Sequence, residues 1–283
     1  MDQRDRTAAR QAVAEAGARL VTMLRQSDPQ AAVVDSQWRV ADVASHLAYV
    51  FQGFTAAAAG TSGEFAHYVP DEPDFHERLA AVNATLVREL ADSAGERQLP
   101  VAVDTIEQGI ATFLAATATL DPDAALATPW YGPGVTRTPD TLTALALGEI
   151  LVHGLDVART TGTRWPIPRT EATVVAREVF ARMLPLMLTD AGRGATVSFR
   201  VSWRGAERGT PGLVLRLDAG TVTAGPAVDG ERVNCVIWTD PVAFLLIGYG
   251  RATTWREILK GRIMSWGRRP MAAFQLPALF CRP

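Results

Sequence analysis

Lysine is almost missing from this chain: of 28 basic residues only Lys260 is lysine, and the other 27 are arginine. With so much alanine alongside, that skew reads as GC-rich coding rather than phosphate recognition. Cysteine is scarce as well. Cys235 and Cys281 lack metal-type spacing, and two cysteines make no disulfide framework. No charge sign predominates: 28 basic and 30 acidic side chains leave a formal −2, which argues against the basic stripe of a nucleic-acid binder. No unbroken run approaches the ~18 apolar residues of a membrane span, and the most apolar short stretch, Val242 to Gly248, is core-sized. Met1 to Arg6 carries both charges with no apolar stretch behind it, so no secretory signal is expected and a cytoplasmic location is. Internal repeats and low-complexity tracts are lacking too.

What is present is globular composition, 48% hydrophobic and 20% charged over 283 residues, a length that suggests about two domains. Apolar positions three and four apart predict helices over Thr7 to Gln26, Val40 to Ala58, Asp74 to Asp92 and Pro100 to Leu120. Pro70 to Pro73 breaks the series, and Asp121 to Asp140, rich in Pro and Gly, reads as a loop with Trp130 and Tyr131 at its middle. Asp140 or Thr141 then caps a strongly apolar helix to about Thr160. Gly162 to Pro168 reads as a linker, and Glu171 to Leu188 as a helix bridging two halves. From Gly194 the period changes from 3.6 to 2. Strands are predicted over Thr196 to Trp203, Leu213 to Leu217, Thr221 to Ala224 and Asn234 to Trp238, with turns at Arg204-Gly205, Ala219-Gly220 and Asp229-Gly230. Helical segments follow at Pro241 to Ile247, Thr254 to Leu259 and Pro270 to Leu279. The expected class is therefore α+β with two domains: helices over residues 1–165, a linker and bridging helix over 166–192, and a small α+β domain over 193–283.

Four histidines are spread over the chain, and two of them sit in apolar helices. Glu149 precedes His153 by four residues, so both project from one helix face about 6 Å apart along the axis. That spacing suits two ligands of one metal ion. If His46 faces the same point, two imidazoles and a carboxylate make a His₂Glu site with a coordination position open, the pattern of catalytic metal centres. Helix bundles build such sites from facing core side chains. On spacing alone a second reading stands beside it: a Glu–His pair within one helix, and His46 an unrelated core histidine satisfied by a carbonyl. Asp42 is placed to orient His46 from one turn earlier, or simply to favour the helix dipole. Asp156 is placed to orient His153, or to cap nearby backbone. His67 and His76 lie in polar surroundings and are expected at the surface. Cys235, within an apolar strand, reads as an inert core residue. No Ser-His-Asp triad, phosphate loop or dinucleotide fingerprint is present.

Trp38-x-x-x-Asp42-x-x-x-His46-Leu47 resembles the first signature of the N-terminal domain of mycothiol-dependent maleylpyruvate isomerases, a branch of the DinB-like four-helix bundles. Gly148-Glu149-Ile150-Leu151-Val152-His153-Gly154-Leu155-Asp156-Val157-Ala158 is similar to its second signature. The resemblance implies His46, Glu149 and His153 as zinc ligands. Arg39 stands where the family often has Ser or Thr, which unsettles the helix cap but not the ligand. The last third, with Asp240-Pro241-x-x-x-Leu245-Leu246 and Gly250-Arg251, resembles the sterol-carrier-like α+β domain often fused to this bundle.

The resemblance further implies a cytoplasmic enzyme that uses Zn²⁺, or another divalent metal, with mycothiol as thiol cosubstrate. Such an enzyme is an isomerase or S-transferase acting on a small electrophile, carboxylate-bearing or a specialised metabolite, bound between the two domains. Trp130 and Tyr131 are candidate lid or binding residues. Arg251 is the candidate carboxylate or thiol clamp, ahead of Arg256 and Arg262. The expected partners are substrate and thiol alone, with neither nucleic acid nor membrane, in a monomer or homodimer. Two rivals share the scaffold: a metal-dependent hydrolase or lyase using bound water, and a non-catalytic binder of small apolar ligands.

Overall fold

A computed structural model describes all residues except Pro73, Arg208, Asp229, Arg282 and Pro283. The break expected at Pro70 to Pro73 and the turn at Asp229-Gly230 thus fall in part outside the described residues. The chain divides into two compact units, Met1–Pro166 and Ile167–Pro283.

The first unit is helical. Helices α1 (Gln3–Arg25), α2 (Val40–Ala59), α3 (Phe75–Ala94) and α4 (Gln98–Thr117) are followed by a two-residue strand pair, β1 (Leu126–Ala127) with β2 (Thr136–Arg137), and then by α5 (Pro139–Thr161). Helices α1, α2, α4 and α5 pack as the bundle, and α3 leans on α2 and α4. Close approach is allowed where a side chain is missing. A Cβ on Gly109 of α4 would lie 2.8 Å from the Cβ of Phe51 on α2, so these two helices meet backbone to side chain. Helix α5 starts two or three residues earlier than the sequence suggests, because Thr138 accepts the Thr141 N–H and Pro139 occupies the first helical position, where its missing donor is harmless. By length and composition α5 could cross a bilayer, but 83% of its most apolar window is buried among its neighbours; it is the core helix of the bundle. The Pro- and Gly-rich stretch before it is more ordered than a plain loop. It holds the β1–β2 pair and a 3₁₀ turn, Pro129–Tyr131. Trp165, read as linker, donates its indole N–H to the Leu151 carbonyl at 3.0 Å and lies where a Gly154 side chain would be.

The second unit opens with α6 (Arg169–Met183), a 3₁₀ turn Leu184–Leu186 and the short α7 (Asp190–Arg193). Strands β3 (Thr196–Trp203), β4 (Leu213–Asp218), β5 (Thr221–Pro226), β6 (Cys235–Thr239) and β7 (Ile263–Gly267) form one sheet in the order β5-β4-β3-β6-β7. Only β3 and β6 run parallel; the crossover between them contains the β4–β5 hairpin. Between β6 and β7 lie α8 (Pro241–Gly248) and α9 (Thr254–Leu259), and α10 (Ala272–Gln275) follows β7. Asp240 starts α8, accepting the Val242 and Ala243 N–H groups on Oδ1 while Arg169 binds Oδ2 at 2.8 Å. Strand β7 is not signalled by the sequence. It lies at the sheet edge between Gly261 and Gly267, and its Met264 and Trp266 point to solvent, so no buried alternation marks it. The molecule is thus α+β, helices first and sheet second.

Candidate metal centre

Helix α2 carries His46 and helix α5 carries Glu149 and His153, each one turn from the next where they share a helix. The structure brings all three together, their ligating atoms within 4.8 Å of one another. Nε2 of His46 lies 3.2 Å from Oε2 of Glu149, and Nε2 of His153 lies 3.4 Å from the same oxygen. Ligands of a tetrahedral zinc at about 2.0–2.1 Å stand about 3.3–3.4 Å apart, so these separations are those of two edges of such a tetrahedron. The donor chemistry fits as well, since two imidazoles with a carboxylate form a set that zinc takes with a position left open.

The surroundings prepare the donors. The Nδ1 atom of His153 is 3.2 Å from Asp156, itself buried one turn further along α5. A proton held on that side leaves the Nε2 lone pair free for a metal, the usual arrangement of a carboxylate behind a ligating histidine. The ring of Trp38 covers both imidazoles, with centroids 5.2 Å from His46 and 6.1 Å from His153. Burial opposes ionisation of Glu149, but hydrogen bonds from His153 and His46, with their charges, outweigh it and hold the carboxyl well below its usual range. Burial likewise opposes a charged His153, yet Asp156 and Glu149 together push it up to about 9.

A cavity of about 620 Å³, its opening included, begins at His46 and Glu149 and is lined by residues of the first unit. Trp130 and Tyr131 are buried in its wall, Trp130 lying against Gly53 of α2 and Phe54. The Tyr131 hydroxyl is kept protonated, first by burial and then by the nearby Glu149 charge. The sequence reading missed Tyr49, Val50 and Gly53, which also line the cavity. Their spacing of three, four and seven residues from His46 places them on its helix face, and that was the available signal.

Other candidates are engaged elsewhere. Asp42 does not serve His46: its Oδ2 accepts the Arg39 backbone N–H at 2.8 Å and caps α2. Arg39 has no acceptor with which to reciprocate, so half of the usual two-way cap remains. Arg251 donates to the Tyr249 carbonyl, Arg262 to Glu257, and Arg256 lies over the Trp255 ring; all three are in the second unit and none lines this cavity. His67 and His76 are exposed, and Cys235 is fully buried with its thiol pushed up by burial.

Residues 10–158 match the profile of the mycothiol maleylpyruvate isomerase N-terminal domain, more than half of the chain. The chain belongs to this family. Its fold is similar to that of the crystallised mycothiol-dependent maleylpyruvate isomerase, with a TM-score of 0.52 at 14% identity and 92% of each chain covered. A histidine-to-alanine mutant of that enzyme gives the same values. At that identity the likeness establishes the fold alone. No curated protein sequence matches the chain. His46, Glu149 and His153 come from the two segments that resemble the family's signatures, as do Trp38 and Asp156 beside them.

Proposed function

We infer that this family member is a thiol-dependent isomerase or S-transferase whose metal ligands are His46, Glu149 and His153, with zinc as the metal and mycothiol as the thiol. The observation that carries the reading is the convergence of two histidine Nε2 atoms on one Glu149 oxygen at 3.2 and 3.4 Å, beside an open cavity. When bound there, a divalent cation stabilises a small thiol as its thiolate at neutral pH. Addition to an activated double bond makes a C–S bond at the expense of the π bond. After rotation, breaking that C–S bond restores the double bond in the other geometry, whereas keeping it and taking up a proton gives the S-transfer product.

The residues of the chain have separate tasks in this scheme. Glu149 supplies the negative charge, and Asp156 fixes the tautomer and orientation of His153. The Trp38 ring shields both imidazoles. Tyr131, protonated and near Glu149, is placed to donate to an oxygen that gains charge as the bond forms. Phe54, Phe65 and Trp130 keep water from the cavity wall. The second unit, a mixed sheet with its own apolar cavity, is taken as the sterol-carrier-like domain.

The test is the metal content of protein purified without chelator, wild type beside His153→Ala. About one equivalent of zinc in the wild type, lost in the variant, supports the site. No metal in either, with reloading also failing, overturns it. Protection of the metal from a chelator by free mycothiol separates the thiol reading from a hydrolase, whose turnover persists without any thiol.

A further inference from the structure

Charge is divided unevenly between the two units. Residues 1–166 carry 12 basic and 21 acidic side chains, whereas residues 167–283 carry 16 basic and nine acidic ones. Within the second unit the excess gathers near its end: Trp255 to Phe274 holds five basic side chains and a single carboxylate, Glu257. The same stretch holds six of the nine exposed large apolar side chains among the described residues. Through it runs β7, which forms one edge of the sheet.

The ladder fixes what that edge offers. The Asp240 N–H bonds the Arg262 carbonyl, so by alternation Met264 and Trp266 turn their backbone groups toward β6. Those of Ile263 and Ser265 turn outward, and no backbone group among the described residues meets them. The Met264 and Trp266 side chains, 56% and 49% exposed, project from the face opposite buried Ile263. There they lie beside their register partners Trp238 and Val236, which makes an apolar patch at the rim of the sheet. Lys260, Arg262, Arg268 and Arg269 stand just beyond the two ends of the strand, all exposed, and Glu257 answers only the first two.

Three kinds of partner meet this edge differently. A second copy, paired antiparallel about Ser265, sets Arg262 of one copy opposite Arg268 of the other, twice, and like charges in register repel. A lipid surface suits cations and tryptophan but leaves the outward N–H and C=O groups without partners. An extended acidic segment meets every requirement. Its backbone continues the ladder, its alternate apolar side chains cover Met264 and Trp266, and its carboxylates face the flanking cations. We propose that β7 is a docking edge for an acidic, extended segment of another protein, which adds to the sheet as a sixth strand. The edge lies wholly in the second unit, and its use does not depend on the metal centre.

The probe is a synthetic peptide, acetyl-Glu-Asp-Val-Thr-Val-Thr-Val-Asp-Glu amide, titrated into the full chain by calorimetry. It is expected to bind at least about tenfold more tightly than the same peptide with Gln and Asn at its ends, and a lysine-ended version not to bind. N-methylation of its valines or, separately, of its threonines reads out strand pairing. One set should cost at least about tenfold in affinity and the other little, because only alternate amides face β7. Amide hydrogen exchange at Ile263 and Ser265 should slow when the peptide is bound. Ser265→Pro removes an outward donor at an edge position, where proline is tolerated, and should weaken binding about tenfold. Should that variant not fold, the methylated peptides still decide, since they leave the protein untouched. No binding, or binding indifferent to end charge or to both methylations, overturns the proposal. So does a dimer in sedimentation that Ser265→Pro dissolves, which assigns the edge to a second copy. Adsorption to phosphatidylglycerol vesicles that the peptide does not displace assigns the patch to lipid and overturns it too.

Discussion

Two carboxylates withdrawn from solvent show how differently the two units use charge. In the sheet unit Glu257, 4% exposed, is held by Lys260 at 2.7 Å and Arg262 at 3.2 Å. In the helical unit Glu149 has two imidazoles at 3.2 and 3.4 Å. Lysine and arginine remain protonated and hold their proton against any metal, so Glu257 is finished as a structural pair. The Glu149 cluster, by contrast, can exchange imidazole protons for a cation, even though Asp156 and Glu149 push His153 up to about 9. The cavities follow the same division. That of the second unit, about 520 Å³ and lined by groups such as Phe180, Phe244, Leu276 and Phe280, has no such cluster on its wall. An apolar space acquires chemistry only where exchangeable donors converge on it.

The largest expected break in this contrast is His153→Ala. Metal should fall from about one equivalent to near none by elemental analysis, and thiol-dependent activity by more than about 100-fold, since loss of a merely orienting carboxylate already costs about 10–100-fold. Glu257→Gln should leave the metal content untouched. Asp156→Asn is the intermediate case, with metal lost to a competing chelator at about 10–100-fold lower chelator concentration. A stability effect without a metal effect at first hand is expected from Gly154→Ala. Its Cβ would lie 2.2 Å from Cζ2 of Trp165, and overpacking of that kind costs about 1–3 kcal/mol, read by denaturant unfolding. Asp240→Ala in the sheet unit removes the α8 cap and the Arg169 contact, and should cost about 1 kcal/mol with the metal site unaltered.

The smallest effect concerns acid. Burial opposes the Asp140 charge, but Arg6 and the Met1 amino group overcome it and hold the carboxyl below its usual range. A carboxyl depressed in the folded state adds stability that is fully present above its unfolded value of about 3.9, and that is lost as pH falls through the folded value. Asp140→Asn should therefore flatten the acid side of the stability profile, and a variant that keeps the full slope would show the pair to be idle.

Legibility varied with how local each signal was. Helix α2 and strand β3 could be placed to within a residue, because each buries one face against a core and so writes its period into the chain. Strand β7 could not, since an edge strand with exposed Met264 and Trp266 has no such face. The Thr138 cap lies two or three residues before the expected Asp140 or Thr141 because Pro139 takes the first helical position. Within the site, Glu149 and His153 were legible as a pair from one helix turn. For Asp42, of the two readings left open by the sequence, the role at the helix start is the one found: its carboxylate accepts the Arg39 N–H. Tyr49 was overlooked because a tyrosine on the His46 face looks like any other core position until a cavity is seen in front of it.

By itself the sequence determined the order of helices before sheet, the two histidines and the glutamate, and the family signatures that contain them. These are properties of residue type and short spacing, fixed by 1.5 Å of rise and 3.6 residues per turn. Only the tertiary structure decided that His46, 103 residues away, meets Glu149, that Asp156 rather than Asp42 stands behind an imidazole, and that a cavity opens beside them. Those facts depend on how α2 and α5 face each other, a matter of packing between segments far apart in the chain, which no local period encodes.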